Sequence, residues 1–272
     1  MFHLQRIDSL DTPELEPYRT MKRPVEHEEQ GIFVAEGEKV VRRLLESRFE
    51  VVSALLPEKW LPEFEPLLRE RPENIPVYVV EKKQVLEALV GFSMFQGVMA
   101  VGKIPAPGTL DDALARSVPP RLFVAVDALT NAENLGVLVR NSVAFGAQAL
   151  LVGETSASPF LRRAVRNSMG TIFQLSVVET DNLPQALHEL RKRDIHCVAA
   201  HPHADGRALS DADLTGDCCL VFGSEGYGIS PPVLEACDEA VAIPMPPGVD
   251  SLNVGSAAAV FLYEANRQRG RS

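Results

Sequence analysis

The apolar residues of this chain fall into short runs whose spacing switches between two patterns, and the switch predicts alternating strands and helices. Residues 31–37 (GIFVAEG) read as a strand. Residues 38–47 (EKVVRRLLES) read as a helix, with Val40, Val41, Leu44 and Leu45 at three- and four-residue spacing. The alternation continues with a strand at 49–57, a helix at 58–71, a strand at 76–81, a helix at 82–91 and a closing strand at 97–104. A stretch rich in proline and turn formers, with one short helical segment, then reads as a linker over 105–120. Beyond it, strands are expected at 121–129, 149–154, 173–179, 196–202, 218–223 and 240–245. Helices are expected at 134–146, ending at Gly146, at 158–170, ending at Gly170, at 183–193, and after Asn253 to the end of the chain. These later strands are unbroken apolar runs, as a sheet covered on both faces requires. The pattern predicts an α/β protein: a small α/β domain at 1–104, the linker at 105–120, and a second α/β domain at 121–272 on a mostly parallel sheet. Ligands of such a sheet bind at the carboxyl ends of its strands.

Composition narrows the class. The chain has 272 residues and is 46% hydrophobic, so it can build packed cores. No apolar run reaches the roughly 18 residues of a membrane helix, and the first residues are acidic and polar rather than signal-like. A cytoplasmic protein is expected. Cys197, Cys218, Cys219 and Cys237 show no zinc spacing and read as reduced, packed thiols, with no metal expected. The net charge of −10 argues mildly against a nucleic-acid partner but leaves local patches open. Arg162, Arg163 and Arg166 form one basic cluster, Arg191–Lys192–Arg193 a second, and Arg267, Arg269 and Arg271 a third. Each alone reads more readily as a solvated face.

Three constellations stand at strand ends of the second domain. In the first, Asn134 stands where it can cap a helix, and Arg140 interrupts that helix's apolar face with a charge. An interfacial ion pair would explain Arg140, and so would a phosphate clamp, since arginine offers a rigid fork of donors. In the second, the strand at 218–222 breaks into Gly223-Ser224-Glu225-Gly226-Tyr227-Gly228. Three glycines there permit close approach of backbone to a ligand. The order is not the dinucleotide fingerprint, and no GxxxxGK[ST] phosphate loop occurs in the chain. In the third, Ile243-Pro244-Met245 ends a strand, prolines and a glycine follow, and Ser251 or Asp250 can cap a final helix. That helix carries Gly255, Ser256 and Ala259, small enough to let another backbone come near.

Together and in this order, the three stretches resemble the SpoU/TrmH family of RNA ribose methyltransferases within the SPOUT superfamily. Asn134, Gly136, Arg140, Phe145 and Gly146 match its first motif. Gly223, Ser224, Glu225, Gly228 and Ser230 match its second, and Ile243, Pro244, Met245, Ser251, Leu252, Asn253 and Val254 its third. The stretch FVAEGEKVVRRLLES is similar to the small ribosomal-protein-like α/β domain that many members place in front, a domain thought to select RNA.

The resemblance implies a deep trefoil knot near the C-terminus, a homodimer with the knot at its interface, and S-adenosylmethionine held by the knotted loops. It implies methyl transfer to a ribose 2′-hydroxyl of ribosomal or transfer RNA. Cofactor contacts are expected around Gly223, Ser224, Glu225, Ile243, Met245, Leu252 and Val254. Arg140, Asn134, Glu225, Ser251 and Asn253 are the expected catalytic set, with Asn134 positioning Arg140 or the ribose. Arg162, Arg163 and Arg166 are candidates for RNA backbone contacts. Two other classes compete: a knotted module that binds RNA or S-adenosylmethionine without catalysis, and a small-molecule oxidoreductase. The missing G-x-G-x-x-G after an early strand weighs against the second.

Overall fold

A computed structural model describes residues 1–81, 97–202, 204 and 207–270; the helix expected at 82–91 and Arg271 lie outside the described residues. The chain divides into two compact units. The first is Met1–Ala106 together with Phe160–Phe173, and the second is Pro107–Pro159 together with Gln174–Ser272. The excursion at Phe160–Phe173, placed by its sequence position in the later domain, clusters with the earlier residues.

The first unit is a mixed sheet with strand order β1-β4-β3-β5-β2. Its strands are β1 (Phe2–Ile7), β2 (Ile32–Glu36), β3 (Val51–Pro57), β4 (Ile75–Val80) and β5 (Met99–Lys103). β4 runs parallel to β1 and β3, and β5 runs antiparallel to β2 and β3. Its described helices are α1 (Glu16–Arg19), α2 (Pro24–Glu29), α3 (Glu38–Glu46), α4 (Leu61–Glu70) and, from the excursion, α5 (Arg162–Asn167). Leu15, Tyr18 and Met21 close over Val34, Leu55, Tyr78 and Val101 to make one core. The buried Tyr18 hydroxyl shares a 2.8 Å hydrogen bond with Ser53 Oγ, which spares it the cost of an unpaired group. A second cluster joins Phe33 and Phe49 to Phe160 and Phe173, with ring centroids 5.2 to 6.1 Å apart. That apolar contact explains why the excursion belongs to this unit. α5 is shorter than the expected helix and ends in a Schellman turn. Met169 takes the left-handed position at φ 55°, one residue before the expected Gly170.

In the second unit all the described strands run parallel, in the order β11-β9-β10-β6-β7-β8. They are β6 (Leu122–Val126), β7 (Ala149–Val152), β8 (Ser176–Glu179), β9 (His196–Ala200), β10 (Cys218–Phe222) and β11 (Glu239–Val241). On one face, α7 (Leu110–Arg116), α8 (Leu183–Arg191) and α9 (Pro231–Ala236) pack over Phe123, Ala125, Leu151, Ala199 and Val221. Residues alternate across a strand, so Phe222 points to the opposite face. There it meets Phe261 edge to face at 5.6 Å, from α10 (Val254–Gln268), which packs on α6 (Ala132–Ala144). α6 stops where expected, in a Schellman turn with Gly146 at φ 76°. β11 lies at the sheet edge, while α10 packs on the helix that leaves β6. The connection at 242–253 therefore crosses the carboxyl ends of β9 and β10.

The four cysteines are free and buried. Burial pushes the Cys218 thiol up to about 11 and the Cys237 thiol up to about 12. The Cys219 thiol is also raised, by its hydrogen bond to Cys197 and by burial. They are packing residues and not nucleophiles. No described helix is long and apolar enough to cross a membrane.

Candidate functional site

The crossing connection and the glycine loop after β10 enclose a cleft of about 360 Å³ in the second unit. Its apolar floor is Phe222 from β10, Val241 from β11, and Ala257 and Phe261 from α10. Its walls are two loops: Gly223 to Gly228, and a set formed by Ile243, Met245, Asp250, Ser251 and Leu252, with Val254 below. All seven expected cofactor residues line it, and so does Ser251. Ala200, the last residue of β9, and His201 and Pro202 just beyond it line it as well. Sequence reading missed these three, although they occupy a strand's carboxyl end, where the rule for parallel sheets directs attention.

The glycine loop is held in place from several sides. Ser224 and Gly228 exchange backbone hydrogen bonds of 3.0 and 2.9 Å, and Ser224 Oγ accepts from the Tyr227 N–H at 3.1 Å. The buried Asp127, at the end of β6, accepts the Ser230 N–H at 2.7 Å. A Cβ on Gly223 would sit 2.1 Å from the Gly228 carbonyl carbon, so only glycine lets the loop close.

One chain of side-chain hydrogen bonds joins the three sequence constellations. Asn134 Nδ2 donates to Glu225 Oε1, and Asn253 Nδ2 donates to Asn134 Oδ1 at 3.1 Å. Asn253 Oδ1 in turn accepts the Gly255 N–H at 2.9 Å. This arrangement corrects three expectations. Asn134 is not the helix cap: Asn131 caps α6, accepting from the Glu133 and Asn134 N–H groups. Neither Ser251 nor Asp250 caps α10; Asn253 does, accepting from the Gly255 N–H. And of the two partners expected for Asn134, Arg140 or the ribose, the arginine is not bonded to it; its side-chain hydrogen bonds go to Glu225 and Asn253.

The small-residue reading of α10 holds at one point in particular. A Cβ on Gly255 would lie 2.6 Å from Val137 Cγ1, and Asn141 Nδ2 donates to the Gly255 carbonyl at 2.7 Å. α10 and α6 cross there almost backbone to backbone. Arg140 sits on the exposed side of α6 and is not among the lining residues of the cleft. Among the described residues it makes no hydrogen bond or ion pair.

The basic clusters resolve differently from one another. The Arg162 guanidinium is engaged by the buried Glu36 at the end of β2, and Arg166 reaches the same carboxylate at 3.2 Å while staying half exposed. Arg163 is exposed. Arg191 pairs with Asp238 at 2.7 Å, Lys192 with Glu189 at 2.8 Å and Arg193 with Asp111 at 2.8 Å. Arg269 is spent on backbone carbonyls of Leu214, Pro120, Arg121 and Gly216. No group of acidic, histidine or cysteine side chains among the described residues could hold a metal ion.

Comparison with known proteins bears on the family and the fold. Residues 121–263 match the model of the SpoU rRNA Methylase family. An uncharacterized tRNA/rRNA methyltransferase of Mycobacterium tuberculosis strain H37Rv is 31% identical over 97% of this chain and 92% of its own. The SpoU methyltransferase AviRb from Streptomyces viridochromogenes, in a crystal structure with AdoMet, superposes with a TM-score of 0.81 at 27% identity, covering 96% of this chain and all of that one. A crystal structure described as an RNA 2′-O ribose methyltransferase gives 0.78 at 29% identity, over 97% of this chain and 99% of the other.

Proposed function

The chain belongs to the SpoU rRNA methylase family, and from that premise we propose that it transfers the methyl group of S-adenosylmethionine to a ribose 2′-hydroxyl of ribosomal or transfer RNA. The observation that carries the proposal is the hydrogen-bond chain Glu225–Asn134–Asn253, which ties the glycine loop to the starts of α6 and α10 beside the cleft. A plain helix-packing surface has no use for it.

The cleft fits the cofactor. An adenine needs an apolar slot, which Phe222, Val241 and Phe261 supply, and a ribose and amino-acid tail need polar main chain. Two loops provide that main chain, and about 360 Å³ lies within the usual range for such sites. Gly223, Ser224, Glu225, Ile243, Met245, Leu252 and Val254 would hold it. When bound, it supplies an electrophilic methyl group on a sulfonium. The protein must then orient the hydroxyl in line and take its proton. Ser251, exposed at the cleft edge, accepts that proton, directly or through water, as its own hydroxyl proton passes to solvent water. Arg140 grips the phosphate beside the target ribose and offsets the charge that develops on the 2′-oxygen. A guanidinium does not give up its proton, so the same residue does not act as the base.

Arg140 stands outside its own chain's cleft lining, and we assign it to the cleft of a second copy in a homodimer. Exposed Val260 and Tyr263 on α10 suit such a contact. The connection at 242–253 threads the trefoil knot in this reading. Of the basic cluster at the excursion, the exposed Arg163 and half-exposed Arg166 are assigned to RNA phosphates, while Arg162 is largely buried against Glu36. Reduced, buried cysteines suit the cytoplasm.

The test is incubation with labelled S-adenosylmethionine and total RNA, followed by mapping of the modified nucleotide. Label in a ribose 2′-O-methyl group is the expected result. Arg140→Lys should keep cofactor affinity and lose about 100-fold in turnover, because charge remains and the fork is gone. Wild-type turnover in Arg140→Lys would remove the bidentate role. Binding of cofactor and RNA with no transfer at all would establish the non-catalytic module instead.

A further inference from the structure

Tyr227 is 99% exposed, more than any other large side chain with apolar surface among the described residues. Its ring makes no hydrogen bond or ring contact with a described residue. Yet the backbone beneath it is fixed. The Ser224–Gly228 bridge, the Ser224 Oγ contact to its own N–H and the tight closure at Gly223 hold the turn. The neighbouring Glu225 is tied to Asn134. A flat aromatic face is thus held out to solvent from a pinned turn, at the mouth of the cleft.

We infer that Tyr227 is a stacking platform for a nucleobase of the RNA substrate, one attached to the methylated ribose or next to it. The inference rests on the function proposed above. If the donor occupies the cleft, the acceptor ribose must come to its mouth and carry its base there. Among the residues lining the cleft, Tyr227 is the one exposed aromatic. Tyr263, the other exposed tyrosine, lies against Phe145 at 6.4 Å on α10. Stacking tolerates any base, because every base has a π face. The platform also costs little to use, since its main chain is ordered before RNA arrives.

The experiment measures binding of a labelled single-stranded RNA of about ten nucleotides and of an abasic strand of the same length, with S-adenosylmethionine affinity in parallel. Tyr227→Ala should weaken binding of the base-bearing strand on the order of 10-fold and leave the abasic strand and the cofactor unchanged. Tyr227→Phe should behave as wild type, because the ring and not the hydroxyl does the work. Undiminished binding by Tyr227→Ala would overturn the inference. So would an equal loss on both strands, a loss of cofactor affinity, or a change in oligomeric mass. Failure of the wild-type protein to methylate total RNA would sink the functional reading, while the two-strand comparison would still decide the role of Tyr227.

Discussion

Gly223 shows how a single missing Cβ builds the site. Its α-carbon faces the Gly228 carbonyl so closely that a methyl group would lie 2.1 Å from the carbonyl carbon. Gly223→Ala must push the turn outward, and the turn carries Ser224 and Glu225 into the cleft. The expected cost is about 1–3 kcal/mol of stability, read from the urea midpoint. Calorimetry should show cofactor affinity falling further than that of Gly226→Ala, whose added Cβ meets nothing within 4 Å. Equal affinities for the two variants would mean that the loop is not a cofactor wall. Gly223 and Glu225 could be singled out from sequence because a glycine-rich break after an apolar strand is a local signal. The cap of α10 could not. Asp250, Ser251 and Asn253 all have side chains able to cap, and the choice among them was made by Asn134, which lies 119 residues away and takes the Asn253 amide.

At the scale of elements, the alternation of periods located the central strands, because their burial forces apolar runs that polar edges do not need. β1 went unread for the opposite reason. Among the described residues it is an edge strand paired only to β4, and four of its six side chains are exposed, so FHLQRI carries no apolar rhythm. α5 was legible as a helix but not as part of the first unit. What decides its place is the phenylalanine cluster and the Glu36 carboxylate, both long-range. The ion pair gives a test. Glu36 is buried and Arg162 nearly so, with side-chain exposures of 5% and 14%. Glu36→Gln leaves the Arg162 and Arg166 guanidiniums without their shared counter-charge, at a cost of about 3 kcal/mol. Replacing both, as Glu36→Gln with Arg162→Met, should recover most of it. The slope of RNA affinity against salt should be unchanged in Arg162→Met and fall by about one in Arg166→Met. A reduced slope in Arg162→Met would return that arginine to the RNA surface.

At the scale of the whole molecule, the three motifs reveal their purpose only as a set. Each alone is a helix start, a glycine turn or a proline loop; the structure makes them neighbours around one cleft. Of the expected catalytic set, Glu225 and Ser251 line that cleft; Asn134 and Asn253 stand beside it, joined to Glu225, while Arg140 is exposed and makes no hydrogen bond or ion pair among the described residues. If a dimer brings it to a partner's cleft, complementation follows from symmetry. Arg140→Ala and the cleft-blocking Ala257→Phe should each be inactive as pure dimers. Co-expressed in equal amounts with separate tags, they pair randomly, and half the dimers are mixed. Every mixed dimer has one site with an intact cleft from one chain and an intact Arg140 from the other. Methyl transfer should therefore return to about a quarter of the wild-type rate, since one site in four is whole. Were Arg140 to act on the cleft of its own chain, no site in the mixture would be whole, and the activity would stay at the level of the parent variants.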